Sequence, residues 1–362
     1  MHRFRRVFLF VAPAVIFAAM TAQGGPKRYE PFRLDREFLP PLSAIDSHLH
    51  LAPGTADSVV AHMDEWGIGR MVVLAIPNFP LEEYVDDFLR YPDRFAVLAY
   101  IDFSGIDEPG WKKNLAKQVR RAKEMGFAGI KLYKDSSVYL RDKSGKLIPV
   151  DDPRFDPLWK TAGELGMPIL IHVGDPERFW MPPSEVNTIE EESWAFYGTG
   201  VPFREELLRE LEHVFAKYPG TTFVGAHFGN RSEEPLIMAY LLDKYPNVYI
   251  DTAARYGELS KRARETRWVL MEYSDRILFG TDWGIWSPDG FEEGWAEWSK
   301  VFYSRAHRIL WTRDAKIPTP FDGNEGTILV GEKRWAVDGW EIPGDVLRKI
   351  CVENAERIWF HR

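Results

Sequence analysis

The segment AIDSHLH occupies residues 44–50, and its interpretation decides the fold. It is an apolar, β-rich stretch that ends in two histidines one residue apart. Successive side chains of a strand point to opposite faces, so Asp46, His48 and His50 are predicted to share one face. The segment therefore predicts a buried strand that carries polar groups to one end of a sheet.

Seven further runs of the same apolar character follow, as expected for strands that are covered on both faces. They are MVVLAI (71–76), FAVLAYI (95–101), AGIKLY (128–133), PILIHV (168–173), TTFVGAH (221–227), VYIDT (248–252) and RILFGTD (276–282). Amphipathic segments between them, such as 111–126 and 204–220, predict helices, and a last helix is predicted at 344–360. This alternation predicts an α/β fold, a (β/α)8 TIM barrel, in a single domain spanning 26–362.

An open, doubly wound sheet is the alternative architecture. Such a sheet is expected to carry a Gly-rich phosphate loop of the form G-x-G-x-x-G after its first strand. The residues after the first strand read HLHLAPG instead, which favours the barrel.

Three connections are longer than ordinary loops and follow predicted strands 4, 5 and 8. They span 134–152, 174–202 and 283–343. The first is predicted to form a β-hairpin around KSGK, and the third contains a possible hairpin at 326–340. All three lie at the carboxyl ends of the strands, where active sites of TIM barrels form, so they are expected to wall the site.

Composition excludes several classes of partner and site. The chain has 362 residues and a net charge of -8, which argues against binding to nucleic acid or to an anionic membrane surface. Its one cysteine, Cys351, excludes an intramolecular disulfide and a multi-cysteine metal site. The expected partner is a small-molecule substrate, and a homodimer is possible.

The first 25 residues predict a secretory signal peptide. The basic MHRFRR precedes an uncharged apolar run of 14 residues and the small, polar TAQGG. That run is shorter than the roughly 20 residues that a membrane-spanning helix needs. We expect export to the periplasm or beyond the cell, with no stable membrane partner after removal of the segment. Because no Ala-x-Ala precedes Gln23, an uncleaved anchor stays an alternative.

Polar side chains gather at the carboxyl ends of the predicted strands. They are Asp46, His48, His50, Lys131, Tyr133, His172, His227, Asp251 and Asp282. Neutral imidazole is a common ligand of divalent transition metals, and a carboxylate can complete a site that keeps one position open. The cluster predicts a metal site, whereas His307 and His361 are predicted to lie at the surface.

These motifs resemble the amidohydrolase superfamily, in particular the amidohydrolase-related branch that includes aminocarboxymuconate-semialdehyde decarboxylase. The resemblance is carried by IDSHLH, GIKLY, MPILIHVGD, TFVGAHFGN, RILFGTDW and the terminal ENAERIWF. It implies that one divalent metal, most often Zn²⁺, is held by His48, His50, His172 and Asp282. It also implies that Asp282 and His227 are catalytic, with Asp282 moving the proton and His227 polarising the scissile group or orienting water.

The resemblance leaves the role of Lys131 open. In other branches a lysine at the end of strand 4 is carboxylated and bridges two metals, with a histidine in the place of His227 binding the second. The alternative is that Lys131 pairs with a substrate carboxylate.

Further substrate contacts are predicted from position alone. Arg255, just past strand 7, could bind an anion through two hydrogen bonds. Tyr133, Trp283 and Trp286 lie at the same end of the barrel, as do Arg178 and Trp180.

The predicted function is that of an enzyme, a metal-dependent hydrolase in which activated water attacks the carbonyl of an ester, lactone or amide. Zinc lowers the pKa of its bound water to about 7, which supplies hydroxide at neutral pH. The alternative is a metal-dependent decarboxylase, a lyase, that acts on an unsaturated or aromatic carboxylic acid. A non-catalytic binding barrel is disfavoured because every expected ligand is present.

Overall fold

The computed structural model describes residues 37–182, 195–291, 294–320 and 336–360. The predicted signal or anchor segment at 1–25, most of the predicted hairpin at 326–340 and His361 lie outside these ranges. Within them, no helix combines the length and the apolar character needed to cross a membrane.

A parallel sheet of nine strands forms the centre of the molecule, in the order β8-β7-β6-β5-β4-β3-β2-β1-β9. Its strands are β1 Ala44–Leu51, β2 Ile68–Leu74, β3 Phe95–Tyr100, β4 Gly129–Leu132, β5 Ile169–Ile171, β6 Phe223–Gly225, β7 Val248–Asp251, β8 Ile277–Leu278 and β9 Trp283–Ile285. From β1 to β8, each strand pairs with the next in sequence, which is the arrangement of a barrel wall.

The sheet closes because β8 and β9 belong to one short stretch of chain. β8 pairs with β7 and β9 pairs with β1, so residues 277–285 join the two edges. Between these strands the amide of Ser47 donates to the carbonyl of Phe279 at 2.9 Å, and the amide of Asp282 donates to the carbonyl of His48 at 2.7 Å. The predicted (β/α)8 barrel is confirmed, but its eighth strand is interrupted rather than continuous over 276–282.

Helices cover the outside of the barrel. They are α1 Ala56–Val60, α2 Leu81–Asp87, α3 Trp111–Glu124, α4 Asp135–Val138, α5 Asp156–Glu164, α6 Arg204–Lys217, α7 Pro235–Lys244, α8 Tyr256–Ser260, α9 Ala263–Glu272, α10 Trp295–Trp311, α11 Gly344–Arg348 and α12 Asn354–Trp359. In α3 the buried residues Trp111, Leu115, Val119 and Ala122 recur at helical spacing, which places one apolar stripe against the sheet. A π-helical turn, Lys349–Glu353, joins α11 to α12, in agreement with the predicted terminal helix.

Apolar side chains form two layers. The outer layer lies between strands and helices, and the inner layer fills the barrel with residues such as Ile45, Leu74 and Leu170, packed against Trp359 of α12. This division follows from the alternation of side chains along each strand. The polar groups at the strand ends therefore lie above an apolar interior.

Strand β1 departs from regular alternation. Its register against β2 shifts between Asp46 and Leu49. The prediction that Asp46 shares one face with His48 and His50 is therefore wrong. The carboxylate of Asp46 instead contacts the hydroxyl of Tyr303 on α10, in the helix layer.

Two further predictions differ from the structure. The predicted hairpin at 134–152 contains the helix α4 and a single antiparallel bridge between Arg141 and Leu147. His307 is fully buried on α10 rather than exposed, because it lies on the face of that helix that packs against the barrel, and its Nε2 bonds the carbonyl of Trp66 at 3.2 Å.

Candidate metal centre

His48 is held in one tautomer by Asp251. The imidazole is fully buried on β1, and its Nδ1 lies 2.7 Å from Asp251 Oδ2 at the end of β7. Because a carboxylate only accepts, Nδ1 carries the proton and Nε2 keeps its lone pair. That Nε2 is buried without a hydrogen-bond partner, 3.3 Å from Asp282 Oδ1. A buried lone pair with no donor fits a metal ligand.

His50 also directs its Nε2 at Asp282, but its Nδ1 contacts Tyr133 rather than a carboxylate. Its Nδ1 lies 3.2 Å from the hydroxyl of Tyr133, which donates to the carbonyl of Ala75 and is therefore free to accept from Nδ1. Its Nε2 lies 3.1 Å from Asp282 Oδ1. Burial lowers the pKa of His50 to about 4, although the nearby Asp282 opposes this shift, so the ring is neutral at pH 7.

Asp282 completes a group of three. One ligand atom each from His48, His50 and Asp282 lies within 4.8 Å of the other two. Burial raises the pKa of Asp282, but the adjacent imidazoles of His48 and His50 outweigh burial and hold the pKa well below its ordinary value. Two imidazoles and a carboxylate form a donor set suited to a divalent transition metal. The three residues form a candidate metal site.

His172 and His227 lie beside this group. His172 Nδ1 is 3.2 Å from His227 Nε2, and the ring of His227 is centred 4.7 Å from that of His48. His227 also forms a second close group with His48 and Asp251. His172 belongs to neither close group among the described residues, so its place in the predicted ligand set stays a prediction.

Lys131 is a buried cation whose charge acts on His48 and His50. Its side chain on β4 is 1% exposed, and its Nζ has no hydrogen-bond partner within the described residues. Burial lowers the pKa of Lys131 to about 8, and the charges of Asp282 and Asp251 oppose this shift. A buried ammonium group without a hydrogen-bond partner is costly, so this position favours an anionic ligand.

The predicted substrate contacts lie in different environments. Trp286 is 43% exposed and stacks on His50 with ring centres 4.4 Å apart, which places it over the site. Trp283 is 3% exposed and packs edge-on against Trp66 in the outer layer, because it pairs with the outward-facing Leu49. The structure therefore does not bring Trp283 to the site.

The predicted arginines already have partners. Arg255 is buried and donates to Asn230 Oδ1 at 3.0 Å, with Asp175 Oδ1 at 3.8 Å. Arg178 forms an ion pair with Glu258. An anion would have to compete with these contacts.

Sequence reasoning left four residues of the site without a role. Asp251 orients His48, and Asp46 accepts hydrogen bonds from Thr281 and Tyr303. Its position at the end of a predicted strand was the sequence feature that could have indicated a role for Asp251. No sequence pattern indicates Tyr303, because it lies on a helix within the longest connection and contacts Asp46 rather than the metal ligands.

Comparisons with known proteins agree with this fold. Residues 72–360 match the family described as Amidohydrolase, and the chain belongs to that family. The matched range begins in β2 and does not include His48 or His50. No curated protein matches the chain.

Several solved structures are similar over most of the chain. An uncharacterised TIM-barrel protein from Bordetella bronchiseptica has a TM-score of 0.56 at 16% identity, covering 88% of this chain and 98% of its own. A 2,6-dihydroxybenzoate decarboxylase from Rhizobium has a TM-score of 0.51 at 16% identity, with coverage of 88% and 98%. A dihydroxybenzoic acid decarboxylase from Polaromonas, with bound manganese and the inhibitor 2-nitroresorcinol, has a TM-score of 0.53 at 17% identity, with coverage of 88% and 97%.

These comparisons correct the predicted hydrolase activity. The similar structures above that have a stated activity are decarboxylases of dihydroxybenzoic acids, which favours the alternative prediction. Hydrolysis has support only from the general description of the family. At such low identity the likeness to solved structures establishes the fold alone.

Proposed function

We propose that this protein is a metal-dependent lyase that decarboxylates an aromatic or unsaturated carboxylic acid. The observation that carries the proposal is the meeting of His48, His50 and Asp282 near Lys131, whose Nζ has no hydrogen-bond partner within the described residues. A divalent metal and a buried ammonium together suit an anionic substrate. The dihydroxybenzoate decarboxylases of the same fold support the choice of reaction.

The metal would be held by His48, His50 and Asp282, with His172 as a further candidate ligand. When bound, a divalent metal acts as a Lewis acid that orients the substrate and stabilises negative charge on its oxygens. Zn²⁺ is the predicted ion, and the manganese bound by the Polaromonas enzyme makes Mn²⁺ an equal candidate for assays.

The protein's own side chains would bind and orient the acid. Lys131 would offer its ammonium group to an anionic oxygen, since its Nζ has no hydrogen-bond partner among the residues that the structure describes. Trp286 would cover one face of a planar substrate, because its indole already stacks on His50 and remains partly exposed. Arg255 is a less direct candidate because Asn230 occupies its Nη2.

The reaction needs one proton at carbon. The bond from the ring or alkene carbon to the carboxylate breaks, its electron pair stays on that carbon, a proton is added there and CO₂ leaves. Asp282 is the candidate proton carrier because its side chain is 26% exposed towards the mouth of the barrel. His227 lies next in line, between His48 and His172.

The test is a product assay on purified protein loaded with Mn²⁺ or Zn²⁺. We expect CO₂ release from at least one member of a panel of hydroxybenzoates and unsaturated acids. In D₂O the product should carry deuterium at the carbon that lost the carboxylate. Asp282→Asn should reduce turnover by about 100-fold or more.

Two outcomes would contradict the proposal. One is a metal-loaded protein that releases no CO₂ from any acid but cleaves esters or lactones. The other is CO₂ release that is unchanged after the metal has been removed.

A further inference from the structure

The backbone of Asp282 has an unusual conformation. Its φ is 67°, in the left-handed region that residues other than glycine rarely adopt. This conformation interrupts the eighth strand between β8 and β9 and turns the carboxylate towards His48 and His50. Such a conformation persists only where surrounding contacts hold it.

Thr281 supplies those contacts on both sides. Its amide and its hydroxyl donate to the two carboxylate oxygens of Asp46, at 3.1 and 2.5 Å. The same hydroxyl accepts a hydrogen bond from the amide of Trp283 at 3.1 Å. The residues on either side of Asp282 are therefore tied to one buried carboxylate.

Asp46 is itself fixed from two directions. Its Oδ1 accepts from the amide of His48 at 3.1 Å, and its Oδ2 accepts from the hydroxyl of Tyr303 at 2.9 Å. Tyr303 is fully buried on α10, where its ring stacks on Trp66 with centres 5.6 Å apart. The carboxylate thus links β1, the interrupted strand and the helix layer.

We propose that Asp46, Thr281 and Tyr303 are positioning residues that hold Asp282 and His48 in register for metal binding. We name these three residues the positioning triad. None of their side chains forms a hydrogen bond with the side chain of His48, His50 or Asp282. They act through the backbone of the residues beside them. The proposal rests on the metal site of the proposed function, but not on the reaction that the site catalyses.

The positioning triad also connects the longest loop region of the chain, residues 283–343, to the candidate metal site, because Tyr303 belongs to it. Residues 283–343 had been expected to wall the mouth of the barrel. Trp286 of this connection does lie over the site, and through Tyr303 the helix α10 also supports the site from the opposite side of the strand. A mutation there would change metal binding without touching any ligand.

The experiment compares hydroxyl deletions with matched controls. Tyr303→Phe and Thr281→Val each remove one hydroxyl and keep the size of the side chain. Two variants serve as controls. Thr281→Ser retains the hydroxyl at position 281, and Tyr245→Phe removes a partly buried hydroxyl that donates to Glu212 at 2.8 Å. Mn²⁺ titration by calorimetry, without substrate, measures the dissociation constant, and circular dichroism verifies folding. Tyr303→Phe retains its ring packing and decides the question even if Thr281→Val does not fold.

We expect Tyr303→Phe and Thr281→Val to weaken Mn²⁺ binding about 10- to 100-fold, the usual effect of losing a group that orients a ligand. Thr281→Ser and Tyr245→Phe should bind Mn²⁺ like the wild type. Wild-type affinity in Tyr303→Phe, with only a lower melting temperature, would overturn the proposal. If the wild type itself binds neither Mn²⁺ nor Zn²⁺, the proposed function fails. The inference is then decided by whether Asp282 remains beside His50 in a metal-free crystal structure of Tyr303→Phe.

Discussion

At the scale of single residues, the site depends on which nitrogen of each histidine carries its proton. His48 presents Nε2 because Asp251 holds Nδ1, and His50 presents Nε2 because Tyr133 accepts from Nδ1. Both lone pairs then face Asp282. The partners that orient the imidazoles matter as much as the imidazoles themselves.

Replacing Asp251 with asparagine should disable His48 as a ligand. The asparagine oxygen would be retained by the amides of His227 and Ala253, which leaves its NH₂ group facing His48. His48 would then keep its proton on Nε2. We expect metal affinity to fall about 10- to 100-fold in Asp251→Asn, as measured by Mn²⁺ titration. Asp156→Asn, in a surface ion pair with Lys217, is the matched control and should leave affinity unchanged.

His307 should make the protein sensitive to acid. Burial lowers the pKa of His307 from 6.5 to about 4. A depressed pKa in the folded state means that stability present above pH 6.5 is lost as the pH falls towards 4. The loss attributable to His307 is about 2 kcal/mol of unfolding free energy at pH 5.

Urea unfolding at pH 7 and pH 5 tests this prediction. His307→Gln should lose less stability between the two pH values than the wild type does. The exposed His213, changed to glutamine, should retain the wild-type dependence. An equal loss in His307→Gln would show that the buried imidazole is not the cause.

Residue types at strand ends were predictable, but their surroundings were not. His48, His50 and Asp282 follow from the pattern of strands, because parallel strands bring their carboxyl ends to one edge. The burial of His307 depends on how α10 packs, and the outward position of Trp283 depends on the pairing of β9 with β1. Neither is encoded in a short motif.

At the scale of elements, the interrupted eighth strand is the most constrained part of the barrel. A Cβ atom at Gly280 would lie 3.0 Å from His48 Cβ and 3.3 Å from Asp251 Cβ. Glycine at this position lets β1 and β7 approach closely enough for His48 to reach Asp251.

The added methyl group in Gly280→Ala should therefore increase the distance between His48 and Asp251. We expect a loss of about 1–3 kcal/mol in unfolding free energy, which is typical of overpacking, together with weaker metal binding. Gly257→Ala is the control, because no atom lies within 4 Å of its added Cβ and its stability should stay within about 1 kcal/mol of the wild type. Urea unfolding and Mn²⁺ titration measure both effects, and wild-type metal affinity in Gly280→Ala would contradict the argument.

The segment after β9 should influence substrate rather than metal. Trp286→Ala would remove an indole that stacks on His50, so we expect KM to rise roughly threefold to tenfold, the equivalent of about 0.5–1.5 kcal/mol of aromatic packing. Metal affinity should not change. Trp268→Ala, which truncates an exposed tryptophan on α9, should leave both quantities unaltered. A change confined to metal affinity would assign Trp286 a different role.

Element boundaries were predictable wherever periodicity alone decides them. The strands and α3 agree with the pattern of apolar residues, because that pattern reflects burial. The interruption at Asp282 and the register shift in β1 were not predictable, since both depend on hydrogen bonds to residues more than 200 positions away. Local propensity carries no information about such partners.

At the scale of the whole molecule, the fold was predictable because it follows from repetition. Eight similar strands alternating with helices leave few arrangements other than a closed barrel. The activity was not predictable to the same degree, because motifs that predict a metal site do not distinguish a hydrolase from a decarboxylase. The difference lies in the substrate contacts, which vary along the loops.

Metal removal should weaken the protein without unfolding it. Both apolar layers lie outside the candidate metal site, so the barrel does not depend on the ion for its core. Addition of a chelator should lower the melting temperature, because saturation at 1,000 times Kd stabilises a protein by about 4 kcal/mol. Far-UV circular dichroism should be retained, and its loss would contradict the argument.

The pairing of β1 with β9 also constrains how the chain can be made. His50 and Asp282 touch although 232 positions separate them in the chain. A ribosome that adds roughly 5–20 residues per second would leave the free side of β1 without its neighbour for on the order of 10–50 seconds. An unpaired strand edge invites association with other chains, so nascent copies that stall before β9 should aggregate or require a chaperone.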